Sequence, residues 1–297
     1  MAAWGIDSLK VDGCNSMPAT MNMTYPKLGR MLVAAAKKKA TPSPTWFSCS
    51  WPDYVGDMLC NHSRLEPCVP LQAIAKSCNS ARMYDDISDS WNQPSGNGCG
   101  VVQIIEFWSK NPQLATLRNG LAKGSVYYND PDQLLVGGNG LSRSEAQVQQ
   151  GMWALWAAPM VLSVELRNKS LAAEMKEILL NKDVLAVADD ALGRQATQCK
   201  SAGCKSGGIL YGGTTSIWNK TLADGSVAVG LVNTGNFGNQ GKAFGDFNTS
   251  FTFDAVGLGC ESAEVKDLWS GSSATESGGV WREVDESSMV MLVLTCK

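Results

Sequence analysis

Carboxylates at three points along the chain offer the chemistry that the residue types allow. Lys10 and Asp12 stand two apart on a predicted strand, so both side chains leave one face near its C-terminal end. An ammonium beside a carboxylate favours the ionised acid, the form a nucleophile requires, although an ordinary strand-end ion pair has the same spacing. Asp85, Asp86 and Asp89 crowd the end of another predicted strand, just after Arg82. Mutual repulsion raises the pKa of one acid in such a group, which suits a general acid; a helix cap or a calcium site would use the same residues. Asn129-Asp130-Pro131-Asp132 adds a third acidic strand end, or a plain turn.

The single histidine narrows the choice. His62 lies in Asn61-His62-Ser63, between Cys60 and Cys68, in a predicted surface loop. Ser-His-Asp and Cys-His nucleophile systems need an imidazole held by an acid, and zinc sites built on clustered histidines need several. Carboxylates without a usable imidazole point to glycoside hydrolysis, where one acid serves the leaving oxygen and a carboxylate serves the anomeric carbon. Trp46, Trp51, Tyr54 and Tyr84 near the same strand ends could stack on sugar faces or pack in the core. Val136-Gly137-Gly138-Asn139-Gly140 lacks the strand-GxGxxG-helix context of a nucleotide site and reads as a loop. No metal and no cofactor is implied.

These residues need strand ends on one face to position them, and the first 195 or so residues provide the pattern. Predicted strands at Gly5 to Val11, Thr45 to Ser50, Ala81 to Asp86, Ser125 to Tyr128 and Pro159 to Val164 alternate with helical segments. The helices are expected at Tyr25 to Ala40, Pro70 to Ser77, Val101 to Gly120 (broken near Asn111-Pro112), the capping box Ser142 to Glu145 through Trp156, and Leu171 to Asn181. Such alternation implies a parallel sheet with helical crossovers, whose C-terminal strand ends form the catalytic face of a barrel. After Gln195 the charged helices give way to short runs separated by Gly, Ser and Thr: Ile209 to Gly212, Ser226 to Asn233, Thr249 to Asp254, Ala263 to Trp269 and Met289 to Thr295. With the hairpin signal Asp224-Gly225, residues 196–297 read as an antiparallel β-sandwich.

Composition bounds partners and compartment. The 297 residues carry a formal net charge of −3 and no long basic run, so nothing recommends a nucleic-acid or membrane-surface partner. The longest apolar stretch, Met152 to Val164, contains Pro159 and is too short to span a bilayer. Ten cysteines, with Cys60 to Cys68 and Cys199 to Cys204 spaced for short disulfide loops, accompany five Asn-x-Ser/Thr sequons at Asn22, Asn61, Asn168, Asn219 and Asn248. Together they favour an oxidising, glycosylating compartment over a cytosolic protein with accidental sequons and free thiols. Met1 to Asp7 has no basic segment and no run long enough for a signal peptide, so the beginning of the chain is expected to be missing.

Several stretches resemble the eukaryotic α-galactosidase and α-N-acetylgalactosaminidase (melibiase) family of retaining glycosidases. They are WGIDSLKVDGC at Trp4 to Cys14, SCSWP at Ser48 to Pro52, RMYDDISDSW at Arg82 to Trp91, NDPDQL at Asn129 to Leu134, MWALWAAPMVL at Met152 to Leu162, and LLNKDVLAVADDALGRQ at Leu179 to Gln195. The resemblance covers residues 1–195 in order. It implies a (β/α)8 barrel over 1–195, lacking about its first three strands, followed by a β-sandwich over 196–297. It implies Asp12 as nucleophile and Asp86 as acid/base, with Lys10, Arg82 and Asp132 on sugar hydroxyls and a Cys49–Cys78 disulfide tying two active-site strand ends. Retention implies carboxyl groups about 5 Å apart and a glycosyl intermediate on Asp12.

After Cys49 the family carries glutamate for galactose and serine where a 2-acetamido group must fit. Ser50 therefore implies N-acetylgalactosamine, while Asp53 stands where that subtype has a small apolar residue, and Gln133 replaces a usual methionine. The implied partner is a carbohydrate ending in α-galactose or α-N-acetylgalactosamine, the implied location lysosomal or secreted, and the candidate assembly a homodimer. A non-catalytic carbohydrate-binding remnant is the rival reading.

Overall fold

The structure, a computed structural model, describes residues 6–38, 45–60, 64–93, 98–117, 126–138, 140–165, 167, 175–206, 213–236 and 248–297. The chain divides into two compact units. The first comprises Met1–Ile87, Pro94–Cys99 and Gln103–Asp132; the second comprises Ser88–Gln93, Gly100–Val102 and Gln133–Lys297.

In the first unit, four strands among the described residues form one parallel sheet in chain order: β1 (Ser8–Val11), β2 (Trp46–Cys49), β3 (Ser80–Arg82) and β4 (Tyr128–Asp130). Each strand is short, and β3 is buried along its whole length, as expected of parallel strands covered on both faces. The crossover from β1 carries α1 (Met21–Ala36), which buries Met21, Tyr25 and Gly29 at fourfold spacing and turns Met23 and Met31 to solvent. It begins four residues before the predicted start and contains Pro26. Between β2 and β3 lie α2 (Trp51–Leu59) and α3 (Leu71–Ala75). Helix α2 is not among the sequence expectations, although Pro52 in its first turn and Asp53 beside it are start signals. The predicted break after the next helix is present: α4 (Val101–Lys110) stops and a 3₁₀ turn, Pro112–Thr116, follows. Two strand predictions need correction. β3 leaves the sheet after Arg82, so Asp85 and Asp86 stand in the following turn, and β4 starts where it was expected to end.

In the second unit, α5 (Arg143–Leu155) opens with the predicted capping box. The Glu145 N–H donates to Ser142 Oγ at 3.4 Å and the Ser142 N–H donates to Glu145 Oε2 at 2.7 Å. The predicted strand Pro159 to Val164 reduces to one parallel bridge, Leu134 with Leu162. Of the predicted helix Leu171 to Asn181, residues 171–174 lie outside the described residues and 175–179 are helical. A further helix, Lys182–Ala188, is absent from those expectations; its N-cap Asn181 accepts the Asp183 and Val184 N–H groups.

The remaining strands are antiparallel: β5 (Thr197–Gln198), β6 (Cys204–Ser206), β7 (Gly213–Thr221), β8 (Val227–Asn236), β9 (Asn248–Thr252), β10 (Ser262–Asp267), β11 (Ser273–Ser277), β12 (Gly279–Glu283) and β13 (Ser288–Cys296). Among the described residues they form a six-stranded sheet, ordered β11-β10-β13-β8-β7-β5, and a three-stranded sheet, ordered β12-β9-β6. The predicted strand Ile209 to Gly212 lies outside the described residues. Alternate residues of β8 (Val227, Val229, Leu231) and β13 (Leu292, Leu294) share one core with Phe251 of β9 and Val280 of β12, so the two sheets face each other. On the other face of the larger sheet α5 comes close: a Cβ at Gly151 would meet Met289 Sδ at 2.4 Å, and one at Gly230 would meet Leu155 Cδ1 at 2.5 Å. The predicted hairpin is present between β7 and β8, with Gly225 at φ 87° and Asp224 Oδ1 accepting the Ser226 N–H.

Candidate active site

Parallel register brings the predicted residues to one sheet edge. Val11 stands opposite Cys49, Cys49 opposite Ala81 and Arg82 opposite Asp130, so Asp12, Ser50, Arg82 and Asp130 all fall at carboxyl strand ends. Lys10 and Asp12 are both on one side of β1, as their spacing required.

The carboxylate of Asp12 is held on two sides. Its Oδ1 accepts the Gly13 N–H at 2.7 Å, and the Tyr54 hydroxyl stands near enough to act on its charge. Burial alone would raise its pKa, but the Gly13 and Tyr54 hydrogen bonds and the positive fields of Lys10 and Arg82 outweigh that. The net shift is below the ordinary carboxylate value. Asp12 is thus held as the anion.

Arg82 joins the remaining acids. Its Nη2 lies 2.8 Å from Asp132 Oδ2 and 3.0 Å from Asp86 Oδ1, and donates to the backbone carbonyls of Asp85 at 3.0 Å and Tyr84 at 3.3 Å. Burial pulls the guanidinium pKa down, yet the fields of Asp132, Asp130 and Asp86 more than restore it. The Arg82 and Asp132 side chains are 6% and 9% exposed, whereas Asp86 is 83% exposed. One end of the guanidinium is therefore anchored in the protein, and the acid it presents to solvent is Asp86.

Asp132 does not stand open to a ligand as an independent group. Its carboxylate is already engaged by Arg82 and by the Ile87 N–H at 2.9 Å, and its own N–H donates to Asp130 Oδ1 at 2.8 Å. Its φ of 85° lies in the left-handed region, a conformation costing on the order of 1–3 kcal/mol that the surrounding bonds must maintain. Beneath it, burial pushes the Asp130 carboxyl up, against the field of Arg82 and the Asp132 N–H.

The three acids expected to crowd one another take different partners. Asp86 pairs with Arg82; Asp85 Oδ1 accepts the Asp86 N–H at 2.9 Å; Asp89 packs in the second unit against Gly138, where a Cβ would fall 2.7 Å from its Oδ1. Gly138 and Gly140 thus leave room for Asp89. Among the described residues no group of three His, Cys, Asp or Glu side chains could hold a metal ion.

The aromatic residues also separate. Trp51 is buried and stacks on Tyr25 at 5.9 Å, and Tyr84 stacks on Phe107 at 4.4 Å. Trp46 opens β2 at the opposite sheet edge, where its Nε1 donates to Ser80 Oγ. Of the four, Tyr54 lies against the Asp12–Gly13 segment. Ser50 is buried at the N-cap of α2. Cys49 is bonded to Cys78, which precedes β3, so the bridge ties the carboxyl end of β2 to the segment entering β3 rather than to a second carboxyl end.

Arg82 thus stands among Asp86, Asp130 and Asp132 at parallel strand ends, with an antiparallel sandwich following in the chain. The profile described as Alpha galactosidase A matches residues 1–190, and that described as Alpha galactosidase C-terminal beta sandwich domain matches residues 212–294. The chain belongs to this α-galactosidase (melibiase) family. It is 36% identical over 194 residues to human alpha-N-acetylgalactosaminidase, covering 65% of this chain and 41% of that protein. It is 30% identical over 287 residues to the probable alpha-galactosidase A of Aspergillus flavus, covering 92% of this chain and 46% of that protein. The chain spans less than half the length of these relatives. The crystal structure of alpha-galactosidase I from Mortierella vinacea superposes with a TM-score of 0.74 at 22% identity, covering 100% of this chain and 69% of that one, a likeness of fold.

Proposed function

We propose that this chain carries the acid pair of a retaining exo-α-galactosidase acting on terminal α-galactosides of glycolipids, glycoproteins or oligosaccharides. Asp12 attacks the anomeric carbon as the carboxylate while Asp86 protonates the departing oxygen. Asp86 then takes a proton from the water that releases the sugar from the Asp12 ester. The observation that supports this most is Arg82: it bonds Asp86 and exerts its field on Asp12, so both acids lie within reach of one buried cation. Lys10, beside Asp12, is read as a sugar-hydroxyl donor, and Asp132 as the anchor of Arg82. The four parallel strands, adjacent in chain order, are read as consecutive staves of a barrel wall, since a doubly wound sheet reverses its order. The boundary with the sandwich is placed near residue 195, between the helix Lys182–Ala188 and β5. Disulfides in both units support a secreted or lysosomal location.

Asp12→Asn is expected to lose at least about a thousandfold in turnover on every α-galactoside. Asp86→Asn is expected to lose about a hundredfold or more on unactivated leaving groups and far less on a nitrophenyl galactoside, whose leaving oxygen needs no proton. Equal losses on both substrate types would remove Asp86 from the acid role. A fluorinated α-galactosyl fluoride should label Asp12, located by peptide mass.

Ser50, buried directly after Cys49, favours a second reading, α-N-acetylgalactosaminidase. Paired nitrophenyl galactoside and N-acetylgalactosaminide substrates separate the two, and preference for the acetamido sugar would put the second reading first. Light scattering of the purified chain tests the homodimer.

A further inference from the structure

Tyr54 stands out among the aromatic residues because of what its ring and its hydroxyl each touch. It sits in the first turn of α2, where its N–H donates to the Ser50 carbonyl at 3.3 Å. Its ring lies directly on Gly13: a Cβ there would fall 2.6 Å from both Cδ2 and Cε2 of the tyrosine. No side chain larger than hydrogen at position 13 leaves room for the ring. The contact brings the hydroxyl to the Asp12 carboxylate, whose Oδ1 is bonded by the N–H of the same Gly13. Cys14 Sγ lies 3.8 Å from that hydroxyl. Three successive residues, Asp12, Gly13 and Cys14, thus converge on one side chain of α2.

We propose that Tyr54 is a positioning residue for the nucleophile: its hydroxyl fixes the orientation of the Asp12 carboxylate, and Gly13 is the clearance that lets it do so. The proposal rests on the reading of Asp12 as nucleophile. It gives Tyr54 a role different from sugar stacking, since one ring face is taken by the Gly13 backbone. Hydrogen bonding to the charged form favours ionisation, consistent with the lowered pKa of Asp12 and with the raised pKa of Tyr54, where burial acts first and the bond to Asp12 adds to it. In the covalent step the bond to Tyr54 is given up as Asp12 becomes an ester. It re-forms when water releases the sugar, so its loss should slow release as well as attack.

Tyr54→Phe keeps the ring and removes only the hydroxyl. The expected result is an acid limb of kcat/KM moved up by roughly one pH unit, a fall in kcat of about tenfold or more at the plateau, and little change in KM. Gly13→Ala should move the limb in the same direction by displacing the ring. A stacking platform would behave oppositely: Tyr54→Phe nearly silent and Tyr54→Ala raising KM. In parallel, the Asp12 carboxyl is titrated by carbon NMR without substrate, its signal assigned through Asp12→Asn, and Tyr54→Phe should raise its midpoint by a similar shift. An unmoved midpoint or an unmoved acid limb overturns the proposal. Absence of turnover in the wild-type chain overturns the glycosidase reading instead, and the NMR titration then decides the Tyr54–Asp12 bond by itself.

Discussion

Arg82 is bound from below by Asp132 and from above by Asp86, and the contrast between 9% and 83% exposure of those two acids assigns them different work. An exposed ion pair contributes little to stability, whereas removing one partner of a buried pair leaves an uncompensated charge. Asp132→Asn isolates that effect, because asparagine tolerates the left-handed φ of 85° as well as aspartate does. The variant should lose about 3 kcal/mol of unfolding free energy, near the low end for a broken buried pair, since Asp130 still faces the guanidinium. With its anchor gone Arg82 shifts under Asp86, and turnover should fall on the order of a hundredfold. Denaturant titration and steady-state rates measure the two losses. A stable variant with normal rates would show that Asp130 alone positions Arg82.

Elements in the second unit are joined by a buried cation with no catalytic part. Lys220 of β7, 4% exposed, donates to the Ala154 carbonyl in the last turn of α5 at 3.0 Å and to the Val187 carbonyl at the end of the helix Lys182–Ala188 at 2.6 Å. Two helix C-termini thus share one capping ammonium. Burial lowers its pKa from 10.5 to about 8, against the field of Asp190. The unfolded chain therefore holds more protons than the folded one between about pH 8 and 10.5, and this group's contribution to stability rises with pH through that window. Relative to Lys220→Met, the wild-type chain should gain about 2 kcal/mol of unfolding free energy between about pH 7.5 and 9.5, read by urea titration; a constant difference would refute the lowered pKa. Elements of this unit were legible where a local signal existed, as in the Ser142 capping box and the Asp224-Gly225 hairpin. β11 (SATES), largely exposed, has no apolar alternation to read, and in the first unit α2 is a single nine-residue helix, too short for its period to stand out. At the site, residue types and strand ends were legible in the sequence. That Tyr54 reaches Asp12, or that Asp132 faces inward, depends on contacts between residues far apart in the chain that no periodicity encodes.

At the scale of the whole chain, cross-linking follows the same division between local and distant information. Cys60–Cys68 and Cys199–Cys204, 8 and 5 residues apart, could be paired by spacing alone. Cys260–Cys296, 36 apart, could not: its pairing follows from the register that sets Ala263 of β10 opposite Cys296 of β13. Each unit thus contains one long-loop bridge, Cys49–Cys78 in the first and Cys260–Cys296 in the second. Closing loops of this length removes about 3–4 kcal/mol of unfolded-state entropy, against about 2 kcal/mol for the five-residue separation. The Cys260→Ser/Cys296→Ser pair should therefore lower the melting temperature of the sandwich by several degrees, while its acid limb and KM match the wild type. Reducing the native chain should cost both units and take activity with it, because Cys49 borders Ser50 at the edge that carries Asp12. Calorimetry with and without reductant, beside rate measurements on the double variant, checks the separation. Loss of activity in the double variant while its first unit stays folded would mean that the sandwich cross-link supports the site as well as its own sheets.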